Sequence, residues 1–190
     1  MFDFEITVEN IVMTGAFSEC VDLSVANPKL EGSKRNWKQL SGLSFTLKKP
    51  SATFLLFPNG KFICTNIKTE TKANQALTKL LNLLKAENIV SNDCTFECCV
   101  KNLVASVNLS SATISPEQFT NEFEAIYDPT NCPTPHNHKT DQPPANFIVF
   151  LTGKLICTGA ANKEELQKAL KKFYEQLKEQ DVIQQKLTIN

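Results

Sequence analysis

The stretch Phe57-Pro58-Asn59-Gly60-Lys61-Phe62-Ile63-Cys64-Thr65 decides the fold, because the chain carries it twice. The second copy is Phe150-Leu151-Thr152-Gly153-Lys154-Leu155-Ile156-Cys157-Thr158, which starts 93 residues further on. A shorter motif, Val-Glu-Asn-Ile-Val at 8–12, returns as Val-Lys-Asn-Leu-Val at 100–104, an offset of 92. Two motifs that recur at nearly one offset indicate an internal repeat, and they predict two halves of similar structure.

Each half is predicted to end in a long amphipathic helix. One helix begins near Thr69 and the other near Asn162, and apolar residues recur in both at helical spacing. These positions are Ala73, Ala76, Leu77, Leu80, Leu81 and Leu84 in the first half, and Leu166, Ala169, Leu170, Phe173 and Leu177 in the second. Asn162 followed by Glu165 has the layout of a capping box.

Shorter elements precede each long helix. A helix is expected to start at Ser115-Pro116, with a weaker counterpart at 22–26 that ends at Asn27-Pro28. Strands are predicted at 4–8, 45–47, 53–57 and 62–65, and Gly60 and Gly153 are predicted in tight hairpin turns. The fold class is therefore α+β, in one core of two repeats at about 4–91 and about 95–183, followed by a tail at 184–190.

Strand alternation predicts what the two faces of the sheet carry. Phe62, Cys64, Leu155 and Cys157 are expected to point toward the helices, and the two cysteines are expected to be small core residues. The opposite face is expected to be apolar and uncharged, with a few amide and hydroxyl groups. Its predicted members are Val8, Asn10, Val12, Ile63 and Thr65, repeated as Val100, Asn102, Val104, Ile156 and Thr158.

Such a face suits the minor groove of DNA at A·T pairs. The bases there offer only acceptors, which the amides of Asn10 and Asn102 and the hydroxyls of Thr65 and Thr158 can reach, while Val and Ile pack on sugars and base edges. Phe57 and Phe150, beside the turns, can wedge into base steps and kink the duplex. The alternative is that these phenylalanines belong to the core and that the asparagines are ordinary hydrogen-bonding residues of strands.

At these residues the sequence resembles the TATA-binding-protein family. The family's two repeats each open with a strand bearing x-N-I/M-V and later carry F-x-S-G-K-x-V-x-T-G before the long helix. Here these motifs appear at 9–12 and 101–104, and at 57–66 and 150–159. The resemblance spans roughly residues 4 to 183 and implies a saddle, with a curved, ten-stranded antiparallel sheet and four helices on its convex face.

The resemblance also assigns roles to further residues. The family has two wedge phenylalanines in each repeat, and here Leu40, with Trp37 nearby, and Cys132 stand in place of the second ones. Phosphate contacts would fall to Lys48, Lys61 and Lys154, because the family's arginines are absent. A lysine holds phosphate as a point charge rather than with a fork, so a weaker grip on the backbone is expected.

A protein partner is implied by the same resemblance. Asp128 and Thr130 lie in the segment where the family's general transcription factor IIB docks, and only Asp128 keeps its acidic charge. The partners expected are double-stranded A·T-rich promoter DNA, a factor of the IIB class and the RNA polymerase machinery. Residues 130–146, rich in proline and polar residues, are predicted to be a loop.

Metal and cofactor sites are not predicted. Cys132, His136 and His138 lie close in sequence, but three possible ligands without a fourth favour a solvated loop over a metal site. No nucleophile and base set, paired carboxylates or phosphate-binding loop can be assembled, so an enzyme is not expected.

Composition limits the remaining possibilities. The chain has 190 residues with 42% hydrophobic and 21% charged, and it contains neither a run of about 18 apolar residues nor a secretory signal, so no membrane association is expected. Lysine and asparagine are frequent and Arg35 is the only arginine, which favours an A·T-rich genome and a protist or viral source. The expected location is the nucleus, or a cytoplasmic replication site if the protein is viral.

The net charge helps to choose between two hypotheses about function. It is zero, from 20 basic and 20 acidic residues, so strong binding to DNA of any sequence is not expected. The first hypothesis is a transcription initiation factor that binds the minor groove and recruits general factors and polymerase. The alternative is an interaction module or regulator of the same fold, with weak or no DNA bending.

Overall fold

A computed structural model describes residues 5–30, 34–36, 42–109, 112–123, 136–141, 143–150 and 152–185. The chain divides into two units: the first unit is Asn10–Lys101, and the second unit is Asn102–Asn190 with Met1–Glu9. The boundaries of the single predicted core and its repeats stay a prediction.

The first unit contains two helices and an antiparallel sheet. Along the chain its elements are β1 (Glu5–Phe17), α1 (Leu23–Lys29), β2 (Lys34–Asn36), β3 (Gly42–Lys48), β4 (Ser51–Leu56), β5 (Lys61–Ile67) and α2 (Glu70–Ala86). The part of β1 before Asn10 belongs to the second unit. The strand order is β2-β3-β4-β5-β1, so each strand from β2 to β5 pairs with its neighbour in sequence.

The second unit repeats this plan. Its elements are β6 (Phe96–Asn108), β7 (Ala112–Ile114), α3 (Pro116–Phe123), β8 (His136–Asp141), β9 (Pro144–Val149), β10 (Lys154–Ala160), α4 (Lys163–Glu179) and β11 (Ile183–Gln185). The order is β6-β10-β9-β8, and β7 pairs separately with β11. Within the described residues, these strand orders contain nine strands and the β7–β11 pair adds two, against the ten strands implied by the resemblance.

The long helices begin where the sequence predicts. The Thr69 side chain accepts from the Lys72 N–H, and that of Asn162 accepts from the Glu165 N–H at 2.8 Å. The Glu165 carboxylate accepts from the N–H of Ala161 at 3.1 Å, one residue before the position that a capping box uses. Both helices have 17 residues and lie 93 positions apart, which confirms the repeat at the level of its elements.

Apolar side chains fix each helix on its own sheet. All the predicted core positions of α2 and α4 are buried, and Phe147 of β9 stacks on Phe173 of α4 with ring centroids 4.6 Å apart. Cys64 and Cys157 are fully buried as predicted, and this burial raises the pKa of their thiols to about 11 and about 12. Both cysteines are therefore packing residues.

The predicted loop at 130–146 is wrong for the residues that the structure describes. β8 and β9 form an antiparallel pair in which Thr140 is opposite Ala145, and the Thr140 hydroxyl donates to the carbonyl of Pro143 at 2.8 Å. Proline content suggested a loop, but Pro143 and Pro144 lie at the turn and the strand start, where a missing N–H is tolerated. Residues 130–135 and 142 lie outside the described residues.

The first short helix is longer than predicted. α1 continues through Asn27-Pro28 to Lys29, because the N–H of Leu30 donates to the carbonyl of Ala26 at 2.9 Å and closes the last turn around the proline. The second short helix begins at Pro116, as predicted.

Two glycines with positive φ, one in a hairpin turn and one inside β10, give a stability test. Gly60 has φ +79°, and a Cβ there would lie 2.2 Å from the carbonyl oxygen of Glu19. Gly159 also has a positive φ, +102°, but a Cβ there would meet its nearest atom at an ordinary 3.6 Å. We expect Gly60→Ala to lower the free energy of unfolding by about 3 kcal/mol and Gly159→Ala by about 1–2 kcal/mol. Urea denaturation measures both, and equal losses would contradict this order.

Candidate nucleic-acid interface

Among the residues that the structure describes, each unit has one sheet face covered by its long helix and one face on which no helix lies. In the first unit Val12, Ile63 and Thr65 are half-buried, and they alternate with fully buried residues that face α2. Val104, Ile156 and Thr158 alternate in the same way in the second unit. We call the helix-free surfaces the open faces, defined by Asn10, Val12, Ile63 and Thr65 in the first unit and by Asn102, Val104, Ile156 and Thr158 in the second.

The position predicted for Val8 is wrong. Ile6 and Val8 pack against the buried core of the second unit, rather than lying on an open face. Val8 and the buried Ile11 are three residues apart, so the alternation of β1 shifts by one residue between them. A prediction based on strict alternation of side chains along a strand does not include such a shift.

Asn10 is held by the backbone of β5. Its Oδ1 accepts from the N–H groups of Asn66 at 2.9 Å and Ile67 at 3.3 Å, and its Nδ2 donates to the Thr65 hydroxyl at 3.0 Å. The pairing of β1 with β5 shifts register here, and Asn66 is left-handed with φ 62°. This bulge turns the two N–H groups toward the asparagine.

Asn102 is held in the same way by β10. Its Oδ1 accepts from the N–H of Gly159 at 2.7 Å and from the Thr158 hydroxyl at 3.0 Å. The pairing of β10 with β6 also shifts register at this point. Because a backbone N–H can donate only to the amide oxygen, these bonds fix which end of each amide is the oxygen and which is the NH₂ group. Both open faces therefore present oriented donors beside a threonine hydroxyl.

Phe57 and Phe150 lie next to the hairpin turns and outside the core. Both are half-buried, whereas the core phenylalanines Phe54, Phe62 and Phe147 are at most 1% exposed. The contrast disfavours the alternative in which Phe57 and Phe150 are ordinary core residues. A cavity of about 670 Å³ adjoins Phe57, and its lining includes Thr14, Gly15, Ala16, Ile63 and Glu97.

The three predicted phosphate-contacting lysines are exposed but lie in different places. Lys61 lines the cavity beside Phe57, and Lys154 lines a depression of about 240 Å³ together with Glu5 and Asn108. Lys48 instead lines a groove with residues of α1 and α2. Lys61 and Lys154 thus keep positions consistent with a role at the open faces.

Carboxylates on the open faces were not foreseen from the sequence. In the second unit Glu5 lies near Ser106, and Glu9 accepts from the Ser106 hydroxyl at 2.7 Å. In the first unit Glu97 lines the cavity beside Phe57 together with Cys98, whose thiol donates to the side chain of Asn74 in α2. The sequence does contain a signal for these carboxylates, since Glu5 and Glu9 alternate with the apolar Ile6 and Val8. The predicted uncharged face is therefore partly acidic.

Several predicted residues cannot be placed. Leu40, Trp37, Asp128, Thr130 and Cys132 lie outside the described residues. Among the residues that the structure does describe, no three His, Cys, Asp or Glu side chains are grouped to hold a metal ion. Within the same residues, no helix is long and apolar enough to cross a membrane.

Comparison with known proteins agrees with this architecture. The family model for transcription factor TFIID, or TATA-binding protein, matches residues 5–86 and 97–180. The TATA-box-binding protein of Methanobrevibacter smithii is 32% identical over 185 residues, which is 96% of this chain and 100% of that protein. The one from Pyrobaculum calidifontis is 36% identical over 180 residues, covering 93% and 87%. The structure of Methanococcus jannaschii TBP superposes with a TM-score of 0.82 at 28% identity, over 92% of this chain and 99% of that one.

The fold and the paired open faces define an α+β protein of two direct repeats. The chain belongs to the TATA-binding-protein family. The predicted fold class is confirmed. The protist or viral source expected from composition is not supported, since the relatives named above come from archaea.

The asparagine bonds give a second stability test. Asn102→Ala removes the acceptor of the Gly159 N–H, and we expect it to lower the free energy of unfolding by about 1 kcal/mol. Asn102→Asp keeps an acceptor oxygen of the same reach, so it is the matched control and is expected to unfold within about 0.5 kcal/mol of the wild type. Urea denaturation distinguishes them, and equal destabilisation by both substitutions would show that the amide oxygen does not hold the bulge.

Proposed function

We propose that this protein is a transcription initiation factor that binds the minor groove of A·T-rich promoter DNA through its open faces. In this proposal it recruits a general factor of the IIB class and the RNA polymerase machinery. The observation that carries the proposal is the pair of backbone-held asparagines, one in each unit, whose NH₂ groups are fixed as donors. The relatives named above are TATA-box-binding proteins, and this supports the same function.

The chemistry of the open faces matches A·T pairs. Adenine N3 and thymine O2 are acceptors, so the minor-groove edge of an A·T pair meets amide and hydroxyl donors, whereas guanine adds an N2 amine that these donors would oppose. Val12, Ile63, Val104 and Ile156 supply apolar contact for sugars and base edges. We therefore assign Asn10, Thr65, Asn102 and Thr158 to the bases. The Thr158 hydroxyl donates to Asn102 Oδ1 in this structure, so it would have to turn from that oxygen to donate to a base.

Phe57 and Phe150 are assigned to the kinks. A half-buried phenylalanine beside a rigid turn can insert between base pairs, at a cost of a few kcal/mol for each unstacked step. In the turns, Gly60 and Gly153 donate to the carbonyls of Phe57 and Phe150, which holds each phenylalanine backbone in place.

Backbone phosphates would be contacted by Lys61 and Lys154. Lys48 is the weaker candidate, because it lines a groove with the helices. Asp128 and Thr130 remain the proposed contacts for the partner factor, and no catalytic role is proposed for the chain. The nuclear location stays a prediction.

One observation favours the second candidate, an interaction module with little DNA bending. Glu5, Glu9 and Glu97 place negative charge on or beside the open faces, where phosphates would repel it. The carboxylates weaken general attraction to DNA without removing the donors that read A·T pairs. The following experiment separates the two candidates.

The test measures the end-to-end distance of a TATA-containing duplex labelled with a fluorescence donor and acceptor. We expect the wild type to shorten this distance at low salt, because wedges and a bent groove bring the ends together. The double variant Phe57→Ala, Phe150→Ala is expected to bind the duplex while leaving its two ends about as far apart as they are in unbound DNA. A G·C duplex of equal length is the control for sequence preference. Binding without shortening would favour the interaction module, and equal binding to both duplexes would reject minor-groove reading.

Removal of one carboxylate gives a further prediction. Glu9→Gln keeps an acceptor for Ser106 but removes the charge, so we expect DNA affinity to rise about threefold at low salt. The gain should shrink at about 1 M salt, where charges are screened over about 3 Å. Fluorescence anisotropy measures the affinity, and Glu164→Gln, in the first turn of α4, is the matched control. A fall in affinity, or a rise no greater than that of Glu164→Gln, would contradict repulsion between the Glu9 carboxylate and the DNA.

A further inference from the structure

A further polar position lies on the open face of the second unit, in β9. Asn146 is half-buried, and it alternates with the buried Ala145 and Phe147. In the sheet Asn146 pairs with Thr158 of β10, one of the residues that define this open face. Because paired residues on neighbouring strands point to the same side of a sheet, the Asn146 amide faces the same way as the Thr158 hydroxyl.

The first unit carries a threonine at the equivalent position. Thr53 of β4 pairs with Thr65 of β5, at an offset of 93 from the corresponding pair in the second unit. The Thr53 hydroxyl lies 3.4 Å from the hydroxyl of Thr46 in β3. Asn146 is paired instead with the exposed Lys139 of β8, which has no hydroxyl. The two open faces therefore differ in their polar groups at this position.

The Asn146 amide is not held as the Asn102 amide is. Asn102 is fixed because its Oδ1 accepts from the N–H of Gly159 at 2.7 Å, which leaves its NH₂ group as a donor. Within the residues that the structure describes, no hydrogen bond reaches the Asn146 side chain. A Cβ at Gly159 would lie 3.6 Å from Asn146 Nδ2, so the absence of a side chain there leaves space beside the amide. Asn146 can therefore turn either its oxygen or its NH₂ group toward a ligand.

An amide that can turn matches both kinds of base pair in the minor groove. Adenine N3 and thymine O2 accept hydrogen bonds, whereas guanine adds an N2 amine that donates one. The NH₂ group of Asn146 can serve an A·T pair, and its oxygen can accept from the amine of a G·C pair. Asn10 and Asn102 are held with only their NH₂ groups available. A guanine amine that faces such a donor stays without an acceptor, which is costly in a closed interface.

We infer that Asn146 allows the second unit to accept one G·C pair within an otherwise A·T-rich element. Thr53 of the first unit does not reach as far, because its hydroxyl is one bond closer to the backbone than an amide oxygen and lies beside Thr46. The preferred element is therefore asymmetric: it tolerates G·C at one pair in the half that the second unit covers, and not at the corresponding pair in the other half. This inference rests on the proposed binding to the minor groove, and it adds which base pairs that binding permits.

The test is a scan of a TATA-containing duplex, with affinity measured by fluorescence anisotropy. Each A·T pair in turn is replaced by G·C, and in a second series by inosine·C, which has the shape of a G·C pair without the N2 amine. The test variant is Asn146→Val, which removes both polar atoms and installs a residue that strands favour. Asn82→Val, at an exposed position of α2, is the matched control because it removes the same amide away from the open faces.

We expect G·C at one pair to cost the wild type and Asn82→Val less than about threefold in affinity, and G·C at the pair related to it by the centre of the element to cost about tenfold. Asn146→Val should lose about tenfold at the first pair as well, and inosine·C should restore the affinity there, because the unpaired amine causes the loss. Thr53→Asn is expected to gain tolerance at the second pair. Thermal unfolding checks that each variant is folded, and Asn146→Leu replaces Asn146→Val if that one unfolds.

The inference would be overturned by a loss of equal size at every pair in the wild type, or by a tolerant pair that Asn146→Val leaves unchanged. A loss that inosine·C does not restore would also overturn it, since the amine would then not be the group that Asn146 contacts. Failure of the proposed function gives a different result. It would appear as equal binding of the wild type to the unsubstituted duplex and to an all-G·C duplex, and the inference would fall with it.

Discussion

The bonds from backbone N–H groups to Asn10 and Asn102 are the constraint on which the open faces depend. An exposed asparagine on a strand would otherwise be able to present either end of its amide to a ligand. Here the bulges at Asn66 and Gly159 direct N–H groups to the amide oxygen, with bonds of 2.9 and 2.7 Å. Asn and Gly are the residues that tolerate the left-handed backbone this requires, with φ 62° and 102°. The motif that contains Asn10 or Asn102 and the motif that follows Gly60 or Gly153 therefore form one structural unit. Asn10 bonds to Asn66, 56 positions away, and Asn102 bonds to Gly159, 57 positions away.

The repeat could be predicted because local signals occur twice and agree. The helix starts near Thr69 and Asn162, the cap at Asn162, the turns at Gly60 and Gly153, and the apolar helix faces are confirmed where the sequence predicts them. The site was harder to predict, since its contacts join residues far apart in sequence. Nothing near Asn10 reveals that Ile67 bonds to it. Composition at 130–146 favoured a loop, because composition does not report the pairing of β8 with β9, which is a tertiary property. Val8 was misplaced because a single irregularity inverts the face of every residue beyond it.

Comparison of the two units distinguishes features that the fold requires from features that it does not require. Features that both units share include the 17-residue helix, the glycine turn, the bulge and the asparagine that it holds. One difference between the units is the pair of small residues Gly15 and Ala16 beside Phe57, where the second unit has Val107 and Asn108. A shared feature can be explained by stability or by symmetric recognition. A feature that differs is not required by the fold, because the other unit reaches the same fold without it.

Charge decides how such open faces would bind a duplex. A protein with zero net charge and acidic groups on or beside these faces releases few counterions, so little of its affinity can come from phosphate attraction alone. The free energy must then come from apolar contact, oriented donors and insertion of Phe57 and Phe150, all of which depend on how easily the DNA deforms. Each of these terms discriminates between sequences, whereas phosphate attraction does not. On the proposed function, carboxylates that lower general affinity would therefore raise the fraction of binding that is specific.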